Sequence, residues 1–320
     1  MRRPKDSGGS DRSRYRDCNG DVGWGMTLLQ RVQSRVVGRQ REIELVLAAL
    51  AAGRHVLLEG PPGTGKSTLL RAVADEMHLG FAFVEGNAEL TPARLIGHFD
   101  PSRVLAEGYS PDVFVDGALV TALRDGALLY IEEINRIPEE TLNVLVTVMS
   151  ERELHIPRLG RVAAAHGFRL VAAMNPFDAV GTARISSAVY DRVCRLAVGY
   201  QDAADEGAVV TSEAAGVEAD ADWVAKVVEV VRRTRTHPDL RIGSSVRGAI
   251  DTTLVASSLA LLRGVPATDH AIGLDAALVS LSGRIRLREG VTRSTEDIVQ
   301  EIWAAVFAAP DSDGTDPGKG

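Results

Sequence analysis

The run Gly60-Pro61-Pro62-Gly63-Thr64-Gly65-Lys66-Ser67 constrains this chain more than any other stretch. It fits G-x-x-x-x-G-K-[ST] at every fixed position. It lies between a short apolar stretch, His55 to Leu58, and a stretch with helical spacing, Lys66 to His78. A strand before and a helix after is the context this motif requires. Glycines let the backbone wrap phosphate groups with its N–H groups turned inward, and the helix that starts near Lys66 adds its positive end. Lys66 then puts a compact charge on the β and γ oxygens, and Ser67 offers a hydroxyl to Mg²⁺. The bland alternative is a glycine-rich turn that only caps a helix. The flanking strand and helix favour the phosphate loop.

The 320 residues suggest about two domains. From 26 to about 200 the pattern is α/β. Strands are expected at His55–Leu58, Phe81–Glu85, Ala127–Ile131, Phe168–Ala173 and Val193–Val198. Helices are expected at Glu42–Ala52, Lys66–His78, Gly117–Arg124 and Pro138–Glu151. Strands alternating with helices argue for a parallel sheet flanked by helices. Residues 201–220 are acidic and rich in Ala and Gly, and they read as a linker. Over 221–309 the strands stop, and Trp223–Arg233, Ser245–Leu262, Asp275–Arg286 and Ser294–Phe307 show helical spacing. A small all-α domain is therefore expected there. Residues 1–25 and 310–320 carry little to bury and read as disordered tails.

Composition limits the function. The 36 basic and 43 acidic residues give a net charge of −7, and only 5% of residues are aromatic. Affinity for nucleic acid comes largely from Lys and Arg on phosphates, and single strands need stacking platforms. A nucleic-acid grip is therefore disfavoured. Two cysteines, Cys18 and Cys194, form neither a disulfide framework nor C-x-x-C spacing. No apolar run reaches the ~18 residues of a membrane span. A cytoplasmic protein is the expectation.

Four further elements carry chemistry. Leu128-Leu129-Tyr130-Ile131-Glu132-Glu133 reads as a buried strand ending in two acids. In nucleotide enzymes of this loop type, the strand next to the loop strand ends in an acid that holds Mg²⁺ through water. Glu132 is that acid here, and Glu133 is the general base that polarises the attacking water. On their own the two acids read equally as a solvated pair. Asn175, at the end of Leu170–Asn175, is placed to hold the attacking water, although Asn-Pro is also a common turn starter. Arg192, in Tyr190-Asp191-Arg192, suits an arginine finger for a neighbouring subunit; alone it reads as a surface arginine. Arg247 opens a helix of the second domain, either closing onto the nucleotide or snorkelling on a helix face.

With these elements in this order, the chain resembles the AAA+ ATPases, and within them the MoxR branch. The resemblance rests on GPPGTGKS, Glu132-Glu133-Ile134-Asn135-Arg136, Ala173-Met174-Asn175-Pro176, Tyr190-Asp191-Arg192 and Ser245-Val246-Arg247-Gly248. Val37-Gly38-Arg39 resembles the family's motif beside the adenine, and Phe114–Leu119 its F-x-x-G-P-L segment. The resemblance implies a P-loop core with a helical lid. It also implies that ATP is held by Val37, Gly38, the loop from Gly60 to Ser67, and Thr68. Lys66 and Ser67 become Walker A, Glu132 and Glu133 Walker B, Asn175 sensor 1, Arg192 the finger and Arg247 sensor 2. A homo-oligomeric ring, usually a hexamer, is implied as well. The hairpin Glu153–His166 would carry its Pro157–Gly160 tip toward the ring's pore or substrate, or be a simple surface hairpin. One departure stands out: Glu132 occupies the position where the family usually has Asp, which lengthens that side chain by one methylene.

The resemblance implies Mg-dependent ATP hydrolysis that drives chaperone-like remodelling or activation of a partner protein. Family members commonly work with a von Willebrand factor A-domain protein. The alternatives are the motor subunit of a metal chelatase, a nucleic-acid motor, and a nucleotide-gated scaffold in which Glu132 abolishes hydrolysis.

Overall fold

The computed structural model describes residues 26–176, 185–217 and 220–308. The tails expected over 1–25 and 310–320 lie outside the described residues. The chain divides into two compact units. One runs to Val198 without the loop 61–64; the other comprises that loop and the residues from Gly199 onward.

The first unit opens with α1 (Leu28–Arg35), started by a capping box on Thr27, and α2 (Gln40–Ala51). Then come β1 (His55–Glu59), α3 (Lys66–Glu76) and β2 (Phe81–Glu85). An insert follows, with α4 (Pro92–Ile96), β3 (Gly97–Phe99), α5 (Pro101–Glu107) and β4 (Phe114–Asp116); β3 and β4 pair antiparallel. Proline at the first helical position and Asp100 as cap start α5. The unit continues through α6 (Ala118–Asp125), β5 (Leu128–Glu132) and α7 (Glu139–Glu151). The hairpin β6 (Glu153–Ile156) and β7 (Gly160–Ala163) leads to β8 (Arg169–Met174), α8 (Ser187–Tyr190) and β9 (Val193–Ala197).

Five of these strands form one parallel sheet in the order β2-β5-β8-β1-β9. Its central strands are apolar on both faces because both faces are covered. Leu57, Leu129, Ile131 and Leu170 pack with Leu123 of α6 and Leu145 of α7. On the other face Val56, Leu58, Leu128 and Val171 pack with α1, α2 and α3 through Val32, Ile43 and Leu70. One expectation is corrected here. The acid-bearing strand β5 is not beside the loop strand β1, because β8 lies between them. Strand order follows from long-range pairing, which a single sequence does not encode locally.

His55 begins β1 and is buried. Its Nδ1 accepts the Leu170 N–H at 2.9 Å, which fixes a neutral tautomer. Burial, with Arg169 and Arg152 nearby, lowers its pKa to about 4. The unfolded chain, with an ordinary histidine near 6.5, therefore binds more protons across that window, and stability falls as pH drops through it. Unfolding by denaturant is expected to show a loss of about 2 kcal/mol between pH 7 and pH 5 from this group. His55→Gln should flatten that slope.

The second unit holds α9 (Ala203–Glu213), α10 (Ala221–Thr236), β10 (Leu240–Ile242), α11 (Val246–Arg263), α12 (His270–Leu281), β11 (Arg286–Leu287) and α13 (Thr295–Phe307). Trp223, Val227, Val231, Ile298 and Trp303 fill its core. Two expectations are corrected. The segment read as a linker over 201–220 contains α9, capped by Asp202 and packed on α10 and α11. Its inner face is only Glu206 and Val210. Glu206 is buried and bonded by Arg232 at 3.3 Å and Arg235 at 2.8 Å, so an acid plays the part that an apolar residue usually does. The unit is also not all-α, since β10 and β11 pair antiparallel. Among the described residues, no helix is long and apolar enough to cross a membrane.

Candidate active site

The carboxyl ends of β1, β5 and β8 converge on one edge of the sheet, where ligands of open α/β sheets bind. Glu59 pairs with Met174, and the Gly60 N–H donates to Met174 O at 3.1 Å. Asn175 therefore stands level with the start of the phosphate loop. On its other side, Ile131 of β5 pairs with Ala172 of β8, which brings the two acids to the same edge.

The loop is shaped by its glycines. A Cβ on Gly60 would sit 2.0 Å from the Val198 carbonyl oxygen, so only glycine fits. Gly63 and Gly65 take φ of +71° and +77°, the left-handed region that glycine adopts without strain. Thr64 Oγ1 donates to Pro61 O at 3.1 Å across the turn. Lys66 is buried, and its Nζ donates to Gly60 O at 3.0 Å. Pro62 completes the turn, and Thr68 follows Ser67 in the first turn of α3.

Ser67 Oγ donates to Glu132 Oε1 at 3.2 Å and lies 3.1 Å from Tyr130 Oη. A hydroxyl and a carboxylate are the hard oxygen donors that Mg²⁺ takes, and at a phosphate site one or two protein oxygens suffice. Among the described residues, no group of three or more His, Cys, Asp or Glu could hold a metal with protein ligands alone. The pair therefore fits an ion shared with a nucleotide's phosphates, and does not fit a protein-only metal centre.

Glu133 turns out of β5 with φ 53°, and its Oε2 pairs with Arg136 Nε at 2.9 Å. Asn135 is buried and its Nδ2 reaches Asn175 O at 3.5 Å. That contact ties the turn after β5 to the end of β8.

Arg192 is not among this group. It precedes β9, whose first residue Val193 pairs with His55 at the amino end of β1. Gly60 follows the carboxyl end of the same strand, so Arg192 and the loop are about 20 Å apart along the sheet at the usual rise per residue. There Arg192 Nε donates to Ser150 Oγ at 2.5 Å and Nη1 to Ala188 O at 2.8 Å. It lines a cavity of about 400 Å³ with Arg54, His55, Ser150 and Arg152. Arg247 lies in the first turn of α11 in the second unit, with its side chain exposed. Val37 and Gly38 precede α2, with Gly38 and Arg39 both left-handed. At the tip of the β6–β7 hairpin, the Arg158 guanidinium stacks 3.8 Å from the centre of the Tyr109 ring.

Two contributors were not singled out from sequence. Glu59, buried at the end of β1, accepts the Tyr190 hydroxyl at 2.7 Å and is paired with the Arg195 guanidinium. It thus anchors the segment bearing Arg192 to the strand that leads into the loop. Burial and Glu59 push the Tyr190 phenol up to about 12. The other is Tyr130, whose hydroxyl meets Ser67 across a gap of 63 residues. An acid directly before the loop and a phenol inside an otherwise apolar strand were the available signals.

Residues 55–193 match the family described as AAA domain (dynein-related subfamily). An uncharacterized protein of Staphylococcus epidermidis is 30% identical over 235 residues, covering 72% of this chain and 88% of that protein. The gas vesicle ATPase GvpN of Ancylobacter aquaticus is 30% identical over 227 residues, covering 66% of this chain and 63% of GvpN. Among solved structures, a RuvB mutant of Thermotoga maritima superposes with a TM-score of 0.56 at 19% identity, covering 78% of this chain and 72% of that one. That likeness is one of fold.

Proposed function

The chain belongs to the AAA+ ATPase family, and from that premise we propose that it binds ATP with Mg²⁺ and hydrolyses it. The observation that supports this most is the convergence of Lys66, Ser67, Glu132, Glu133 and Asn175, from three strand ends, on one sheet edge. In this reading Val37, Gly38 and the loop from Gly60 to Thr68 hold the nucleotide. Lys66 neutralises phosphate charge, and Ser67 with Glu132 would hold Mg²⁺, which when bound offsets the charge of the phosphate oxygens. Glu133 takes the proton of the attacking water, which Asn175 orients. The gas vesicle ATPase among the relatives supports the hydrolase assignment.

Arg192 lies too far from its own chain's loop to serve it. This supports a ring, a hexamer by resemblance, in which Arg192 and Arg247 complete catalysis around nucleotide held between subunits. The MoxR resemblance gives the work done: remodelling or activation of a protein client, with a von Willebrand factor A-domain protein as partner, in the cytoplasm. Phosphate release from ATP by the pure protein tests the core of the proposal. Turnover is expected with Mg²⁺ and none is expected in EDTA. Tight ATP binding without turnover, even with the partner added, would favour the nucleotide-gated scaffold.

A further inference from the structure

Tyr130 stands two residues before Glu132 on β5, so both side chains leave the strand on one face, the face that packs on α3. Ser67, at the start of α3, sits between them, 3.1 Å from the phenol oxygen and 3.2 Å from the carboxylate. A serine hydroxyl has one proton and two lone pairs. With its proton given to Glu132, it accepts from Tyr130, and one lone pair is left for a cation. Tyr130 is fully buried between Phe81 and Phe83, with ring centres 5.9 and 5.7 Å away. A phenylalanine would fill the same apolar space, so packing alone does not call for the hydroxyl.

We infer that Tyr130 is a positioning residue for the metal-facing hydroxyl: it fixes Ser67 Oγ in one orientation against the longer Glu132 side chain, and so sets the affinity of the nucleotide site for Mg²⁺. The inference rests on the reading of Ser67 and Glu132 as the magnesium-side residues. Groups one shell out from a metal commonly contribute 10- to 100-fold to its binding.

The test is Mg²⁺ titration of a fluorescent ATP analogue on wild-type protein, Tyr130→Phe, Ser67→Ala and the double variant. Tyr130→Phe should keep wild-type affinity for the analogue in EDTA yet need about 10- to 100-fold more Mg²⁺ for the metal-dependent gain. In the Ser67→Ala background the same substitution should change the Mg²⁺ requirement no further, because the phenol acts through Ser67. A wild-type Mg²⁺ requirement in Tyr130→Phe would overturn the inference. So would a loss in EDTA equal to that in Mg²⁺, which marks a packing defect, or a full additional effect without Ser67. Wild-type protein that binds no analogue, or binds it with no response to Mg²⁺, would overturn the underlying reading of the site as well.

Discussion

Glu133→Gln is expected to bind ATP as the wild-type protein does and to lose turnover by about 10²- to 10⁴-fold, the usual contribution of a positioned general base. Glutamine keeps the size of the side chain and its capacity to hydrogen-bond, but it takes no proton from water. The local backbone makes this residue distinct from its neighbour. Glu132 is the last residue of β5 and faces Ser67, whereas Glu133 turns to a left-handed φ of 53° and leaves the strand direction. Two adjacent acids thus point to different tasks. Arg136 Nε lies 2.9 Å from the Glu133 carboxylate and pairs with it. Single-turnover phosphate release, read beside fluorescent-nucleotide binding, checks the prediction. Turnover at the wild-type rate with binding intact would move the base elsewhere, with Glu132 the next acid to test.

The sequence spoke most clearly where one element satisfies its own constraints. His55–Glu59, Leu128–Glu132 and Arg169–Met174 are buried over nearly all their length, so a short apolar run was enough to place each strand. The phosphate loop was equally legible, because its glycines answer to local backbone geometry and one close contact with Val198, the residue after β9. What stayed hidden depends on distant partners. α9 reads as a linker because its buried face includes Glu206, and the arginines that neutralise it lie 26 and 29 residues on. α12 was expected to begin at Asp275, an acid that in fact lies mid-helix and pairs with Arg263. The cap is Asp269, which accepts the N–H groups of Ala271 and Ile272. Tyr130 looked like another apolar strand residue, and only the fold shows its hydroxyl against Ser67.

Arg192→Ala should lower turnover by about 10³- to 10⁵-fold, the scale on which arginine fingers act, and should leave nucleotide binding by its own chain unchanged. The reason is positional. β1 and β9 run parallel and in register from His55 with Val193 to Glu59 with Ala197, so a residue before β9 and a loop after β1 lie at opposite edges of the sheet. The interval exceeds the reach of an arginine side chain, so on the proposed reading Arg192 is expected to meet a γ-phosphate on another subunit. Its place is held by Ser150 and by the Ala188 carbonyl, while Glu59 tethers the same segment through Tyr190 and Arg195. Mixing separates the two arrangements. Lys66→Ala protein lacks a working loop but keeps its arginine, and Arg192→Ala protein has the reverse defect. Each should be inactive alone, and a mixture should regain partial ATP turnover at interfaces that join an intact loop to an intact arginine. A mixture as inactive as its parts, under conditions where the two variants exchange into shared rings, would mean that Arg192 does not act across a subunit boundary.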